Sequence, residues 1–377
     1  MRRQNARVLW RCAFPIVGAV VLALGFGGCA GHDTPLPLPW SAVVPNPYSW
    51  PTATPQSQGL DAAMLEQAAA LARDRPYTLS LLVIRNGFLV SENYFNGATM
   101  NAAFHIHSAS KSFTAALFGV ALGRRLIGSL DGRLLDWFPE YADASLDPRK
   151  YSITLRHLLT MRAGFAWEED DAHWAAYDSS ADWCRYAIQL PLTWNPGETF
   201  HYCTPETNLL AAVIAKACGT DLRSFAESSL FAPLGITVGH WYQDPQGYYT
   251  GGHEMYFVPR DLARLGDLYL HDGVIGGQRV LPEGWVAESL RRTADSDWDW
   301  TPLQEPGYGY QWWLGRLASR EVFFASGKGG QLVLCVPSLQ MIVVTTNNGE
   351  SWQTEWQQIQ ETLDLLARYV LPAARTT

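Results

Sequence analysis

Ser108-Ala109-Ser110-Lys111 stands between an apolar run and a segment, 110–123, whose spacing predicts a helix. On a helix, positions three apart share a face, with Cβ atoms about 5–6 Å from each other. A hydroxyl at 108 and an amine at 111 are then one turn apart, at the end of the helix where the dipole favours a developing anion. A serine hydroxyl is a weak nucleophile until something takes its proton, and a lysine can take it only when neutral. An ordinary lysine is neutral about once in 2,500 at pH 7, so burial or a neighbouring cation has to lower its pKa. The chain holds four lysines, at 111, 150, 216 and 328. Chance placement gives about a quarter of a Ser-x-x-Lys match, and one is present. A helix cap beside a surface lysine would be spelled the same way, so the neighbouring motifs decide.

Two further segments point to the same chemistry. Phe200-His201-Tyr202-Cys203-Thr204 precedes a predicted helix at 205–217 and follows the turn Trp194-Asn195-Pro196-Gly197-Glu198. A tyrosine at a loop-to-helix junction can point into a cleft and pass a proton, although a lone tyrosine is more often an aromatic plug. Ser326-Gly327-Lys328-Gly329-Gly330-Gln331 leads into a predicted strand. Its glycines let backbone approach a ligand closely, and Lys328 brings a positive charge.

In this order the three segments resemble the serine β-lactamase and penicillin-binding protein superfamily, whose motifs are Ser-x-x-Lys, Tyr-x-Asn and Lys-Thr-Gly. The resemblance spans about residues 58–371 and is nearest to class C-like β-lactamases, carboxylesterases of that fold and 6-aminohexanoate-dimer hydrolases. Leu155-Arg156-His157-Leu158-Leu159-Thr160-Met161-Arg162-Ala163-Gly164 is similar to the group's H-L-L-T-x-x-x-G signature, and Tyr308-Gly309-Tyr310-Gln311-Trp312-Trp313 to its G-Y-G-x-x-W segment. The resemblance implies Ser108 as nucleophile, Lys111 as its base and Tyr202 as the proton shuttle to the leaving group. It places Lys328, Gly330, Gln331 and Tyr310 at the substrate, with the N–H groups of Ser108 and Gln331 as oxyanion donors, each worth roughly 10²–10³ in rate. Two positions depart from the pattern: Thr204 stands where the family has Asn, and Gly329 where it has Thr. Both departures favour small esters or amides over β-lactams. The rival expectations are a D-alanyl-D-alanine peptidase or penicillin-recognising enzyme, and an envelope binding protein that has lost turnover. No metal or organic cofactor is implied.

The expected architecture is α+β. Thr78–Arg85 and Phe88–Tyr94 flank Asn86-Gly87, a strong hairpin signal. Residues 321–325, 331–336 and 340–346 predict three strands near the other end, and 351–370 a last helix. Helical spacing at 61–73, 110–123, 155–161, 180–190, 205–217, 222–230 and 259–272 fills the middle. The expectation is one antiparallel sheet built from both termini, flanked by helices, with a helical region inserted within about 108–304. Trp and Tyr residues near 298–313, with Trp167, Trp174 and Tyr177, are expected to line an apolar cleft.

The chain starts with Arg2, Arg3, Arg7 and Arg11, an apolar run over 12–28, and Gly27-Gly28-Cys29. Basic start, apolar stretch and small residues predict a secretory signal over 1–28. The cysteine after it resembles a bacterial lipoprotein signal, which implies lipid on Cys29, a membrane as partner and a place in the cell envelope. Seven prolines between 35 and 55 predict an extended linker over 29–57 ahead of one domain at 58–371. Without the signal the balance is 24 basic against 36 acidic groups, or −12, which excludes a nucleic-acid partner. Cys184, Cys203, Cys218 and Cys335 show no zinc spacing and are expected as small buried hydrophobes. His105-Ile106-His107 is half of a metallo-β-lactamase pattern, but Ala109 and Ser110 stand where that pattern needs Asp and His, so a structural role is expected for both histidines.

Overall fold

The structure, a computed structural model, describes residues 40–41, 47–349 and 355–374. The expected hairpin forms: β1 (Thr78–Arg85) and β2 (Phe88–Tyr94) are joined by Asn86 and Gly87, both with positive φ, 51° and 79°. Asn and Gly accept that conformation at little steric cost. Three strands follow that sequence reasoning missed or blurred: β3 (Ala294–Asp295), β4 (Gln304–Tyr308) and β5 (Trp313–Leu317). Then come β6 (Arg320–Gly327), β7 (Gln331–Val336) and β8 (Met341–Asn347), close to the predicted bounds.

These strands form one eight-stranded antiparallel sheet in the order β2-β1-β8-β7-β6-β5-β4-β3. The β8–β1 pair, with Val343 opposite Val83, joins the C-terminal strand to the N-terminal one, so the sheet is built from both ends of the chain as expected. Every residue of β7 and β8 is buried. Strands covered on both faces carry continuous rather than alternating apolar runs, and Leu-Val-Leu-Cys-Val in β7 is such a run. Helix Pro259–Leu270 lies so close that a Cβ on Gly266 would stand 2.9 Å from Cys335 Sγ. Helices Ala62–Arg73 and Glu355–Leu365 pack with each other and with the C-terminal turn Leu366–Val370, and Ala62–Arg73 reaches β1.

The helical region follows the expected segments, with Asp171–Asp178 added. That helix is short and half-exposed, so it has no apolar stripe to betray it. Helix Ser110–Gly123 is buried on all sides from 110 to 121. Gln311 fastens it in place: its carbonyl accepts from Ser112 Oγ at 2.7 Å, its side-chain oxygen from Thr207 Oγ1 at 2.8 Å, and its amide donates to the Leu158 and Leu159 carbonyls at 3.0 Å. The two signature segments around 155–164 and 308–313 thus meet beneath the nucleophile helix.

One boundary moves. Within the linker expected over 29–57, Trp40 and Ser41 pair with Phe104 and Ala103, and the described residues from 47 onward also meet the domain. Trp50 is buried and its indole donates to the Arg260 carbonyl at 3.0 Å, while Pro51 and Ala53 bond with Leu89. The signal segment 1–28, Cys29 and the proline-rich stretch up to 39 lie outside the described residues. Among the described residues no helix is long and apolar enough to cross a membrane. Cys184, Cys203 and Cys335 are buried and Cys218 partly so, all four as free thiols.

Candidate active site

The short turn His107–Ala109 runs directly into helix Ser110–Gly123, placing Ser108 at its mouth. Lys111 Nζ lies 3.0 Å from Ser108 Oγ, 2.8 Å from Thr204 Oγ1 and 2.8 Å from the Gly252 carbonyl oxygen. A carbonyl can only accept, so one N–H must go to Gly252, and a second suits the Thr204 hydroxyl. In the neutral amine these two bonds leave the lone pair facing Ser108. Lys111 is buried, and burial lowers its pKa from 10.5 to about 8, against the opposing charge of Glu169 and the neighbouring Cys203. Asn208 holds the Gly252 carbonyl in place, since its side-chain oxygen accepts from the N–H groups of Gly251 and Gly252 at 3.0 and 2.9 Å.

Tyr202 lines the same cleft as Ser108, and its ring centroid is 4.8 Å from Lys111 Nζ. Burial and then the Glu169 charge push its pKa up, with the Ser108 hydroxyl opposing, so it carries a proton at neutral pH. The ring is held by Trp298 at 5.0 Å and Trp313 at 5.6 Å. Ser108 Oγ therefore lies beside an amine that can accept a proton and shares its cleft with a phenol that can deliver one.

The third wall is the end of β6. Ser326, Gly327 and Lys328 line the cleft. A Cβ on Gly327 would stand 2.2 Å from the Ile106 carbonyl oxygen and 3.1 Å from His107 Cβ. Only glycine lets this strand close on the nucleophile turn.

The structure places three expected positions away from the cleft lining. Gly330 lies in the turn behind the cleft, with its N–H on the Gly327 carbonyl. Gln331 is buried in the sheet opposite Gly327, its amide donating to the Lys328 and Asn347 carbonyls at 3.2 and 2.6 Å. Lys328, the first residue of the expected motif, does line the cleft. Tyr310 is fully buried, its hydroxyl accepting from Arg156 Nη1 at 2.7 Å, fastening the fold rather than facing substrate.

The cleft has a volume of about 1020 Å³. Trp174, Trp298, Trp300, Trp313 and Trp356 line it, whereas Trp167 and Tyr177 lie in the core behind. It is less apolar than expected. Glu169, Asp171, Asp178, Glu254, Asp299 and Glu355 line it against one lysine, Lys328. Lys328 Nζ is 3.7 Å from Glu355, whose carboxyl burial pushes up to about 7 in spite of that lysine. His105 accepts from the Glu254 N–H at 3.2 Å, stacks on Tyr256 and lies with its ring tilted against His107. Burial lowers the pKa of both histidines. Among the described residues no group of three or more His, Cys, Asp or Glu side chains could hold a metal ion.

Sequence reasoning missed Glu169, Asn208 and Gly252. No motif marks them; the double glycine at 251–252 was the one available signal, because glycine pairs attend close backbone approach.

Comparison with known proteins agrees with this geometry. The Beta-lactamase family model matches residues 66–367. The chain is 27% identical over 260 residues to a 6-aminohexanoate-dimer hydrolase of Paenarthrobacter ureafaciens, a match covering 63% of this chain and 64% of that protein. It is 22% identical over 333 residues to penicillin-binding protein 4* of Bacillus subtilis (strain 168), covering 76% of this chain and 71% of that one. Among solved structures, EstCE1, a hydrolase with promiscuous acyltransferase activity, superposes with a TM-score of 0.65 at 17% identity over 82% of this chain and 99% of that one. The octameric penicillin-binding protein homologue from Pyrococcus abyssi superposes with a TM-score of 0.62 at 17% identity, over 82% and 76% of the two chains. With the fold, the Ser-x-x-Lys pair and the family match in agreement, the chain belongs to the Beta-lactamase family.

Proposed function

We propose that the protein is a serine hydrolase acting on small esters or amides through an ester formed on Ser108. The observation that carries this is Ser108 Oγ standing 3.0 Å from a buried Lys111 Nζ, with the Tyr202 ring 4.8 Å from that amine in the same cleft. Neutral Lys111 takes the Ser108 proton as Oγ attacks the substrate carbonyl. The C–O or C–N bond to the leaving group then breaks, and the leaving group takes a proton through the Tyr202 hydroxyl. Water attacks the acyl ester, releases the acid and returns a proton to Ser108. No step requires a metal or an organic cofactor. This convergence of three side chains also speaks against an inert binding protein.

Three features favour the esterase and amidase branch over penicillin recognition. The Thr204 hydroxyl is turned onto Lys111 and fully buried, so it offers nothing to a β-lactam side chain. Lys328, the expected carboxylate partner, stands beside Glu355. The cleft walls carry more carboxylates than cations even with Glu355 beside Lys328, and the resulting negative potential repels an anionic substrate. The relatives' activities suggest both esters and amides as candidates. The test compares kcat/KM for short p-nitrophenyl esters, 6-aminohexanoate dimer and nitrocefin on one preparation. Esters or the dimer should lead; a tenfold lead for nitrocefin over both would move the protein to the penicillin-recognising branch. We further propose that it works outside the cytoplasm, anchored by lipid on Cys29, which rests on the sequence of residues 1–29 alone.

A further inference from the structure

Glu169 has no part in the reaction steps above, yet its carboxylate is the most heavily bonded in the cleft wall. Oε1 accepts from the Thr204 backbone N–H at 2.8 Å and from Trp167 Nε1 at 2.9 Å, and Oε2 accepts from Trp174 Nε1 at 3.2 Å. Thr204 opens helix Thr204–Cys218, and Cys203 at the N-cap position supplies no side-chain bond. The first N–H groups of a helix have no partner within it, and a carboxylate there is favoured by the dipole. Glu169 thus caps this helix from 35 residues earlier in the chain. The residue it grips is the one whose hydroxyl accepts from Lys111 Nζ, and Tyr202 lies two positions before it. Through the two indoles the same carboxylate fastens the Trp174 face of the cleft to the catalytic junction.

We propose that Glu169 is a positioning residue for acyl transfer, holding Thr204 against Lys111 and setting the charge that Lys111 works against. The inference rests on the serine mechanism proposed above. Lys111 is faced by Ser108, the Tyr202 ring, Cys203, Thr204 and the Gly252 carbonyl, and Glu169 supplies the nearby negative charge. Glu169 and Asp171 also act together on Glu355, which pairs with Lys328. A negative charge favours protonated Lys111. Removing it should make the amine neutral at lower pH, whereas a purely structural role would leave the titration where it was. Two 2.8 Å contacts through one residue put the charges within about 9 Å, where an effective dielectric of about 20–40 gives a shift on the order of one pH unit.

The experiment uses Glu169→Gln and Glu169→Ala in the full chain, with p-nitrophenyl butyrate kinetics from pH 5.5 to 10 and thermal melting. Glutamine keeps a carbonyl acceptor for Thr204 and Trp167 but not the charge. Its acid limb of kcat/KM should move down by on the order of one unit with the fold intact. Alanine removes the grip as well, and kcat should fall about 10- to 100-fold, the range expected when a catalytic group is misplaced by up to an ångström. A glutamine variant whose profile superimposes on the parent overturns the proposal even if the alanine variant does not fold. Failure of the underlying mechanism looks different: the parent itself would show no labelling of Ser108 by a fluorophosphonate.

Discussion

The pH dependence of turnover follows from the burial of Lys111. Its pKa falls from 10.5 to about 8. At pH 7 that raises the neutral fraction from about one in 3,000 to about one in ten, a gain of some 300-fold in working base. Below the folded pKa the rate should fall with the neutral amine, so log kcat/KM for an ester should rise with unit slope to an inflection near pH 8 and then level off. From pH 9 to pH 6 the loss is about 100-fold. Stability carries the same signature. The folded pKa is depressed, so below pH 8 both states hold the proton and the folded state bears the full cost of a buried charge. Between pH 8 and 10.5 only the unfolded chain stays protonated, and stability rises with pH. The cost is about 3 kcal/mol at pH 7 and about 1 kcal/mol at pH 9.5. Lys111→Met has no such term. Its stability relative to the parent, from urea unfolding at each pH, should therefore decline by about 2 kcal/mol over that interval, while its esterase activity is lost. A flat kcat/KM between pH 6 and 9, or parallel stability curves for the two proteins, would refute the reasoning.

Gly327→Ala places a Cβ 2.2 Å from the Ile106 carbonyl oxygen; a backbone retreat of about 1 Å should cost about 10² in kcat/KM, and unchanged ester turnover would show that β6 does not close the site. Ser110 is fully buried and its Oγ has no partner among the described residues, so Ser110→Ala should keep kcat within about threefold and stability within about 0.5 kcal/mol; a hundredfold loss of kcat would make it the reacting hydroxyl instead. Cys29→Ser, expressed in a bacterial host, should leave an unprocessed precursor or release the protein from the membrane fraction; normal processing with membrane retention would argue for another anchor.

The parts of the fold that were legible in the sequence are those where local pattern and tertiary role coincide. Asn86-Gly87 is one: the turn it forms is local and its two positive φ angles suit those residues. The apolar run of β7 is another, because a strand buried on both faces needs nothing else. The strand Gln304-Glu305-Pro306-Gly307-Tyr308 was not legible, since proline and glycine read as a turn and only pairing with β5 makes it a strand. The Ser108–Lys111 spacing was legible because one helical turn brings the pair together. The end of β6 was only partly legible, because a glycine–lysine motif does not say which of its residues face a cleft. Sheet register, with Gly327 opposite Gln331, decides that Ser326, Gly327 and Lys328 meet the cleft. Glu169 was invisible for a similar reason: its importance comes from Thr204, which is distant in sequence and near only in space.

Fluorophosphonate labelling followed by peptide mass spectrometry tests the central claim most directly. One adduct per chain should form, on Ser108, with a rate that rises with pH as Lys111 loses its proton. Ser108→Ala should take up no label and lose at least ~10⁴ in kcat on an activated ester. Label on any other residue, or a Ser108→Ala variant that keeps a tenth of the activity, would contradict the assignment of Ser108 as the nucleophile.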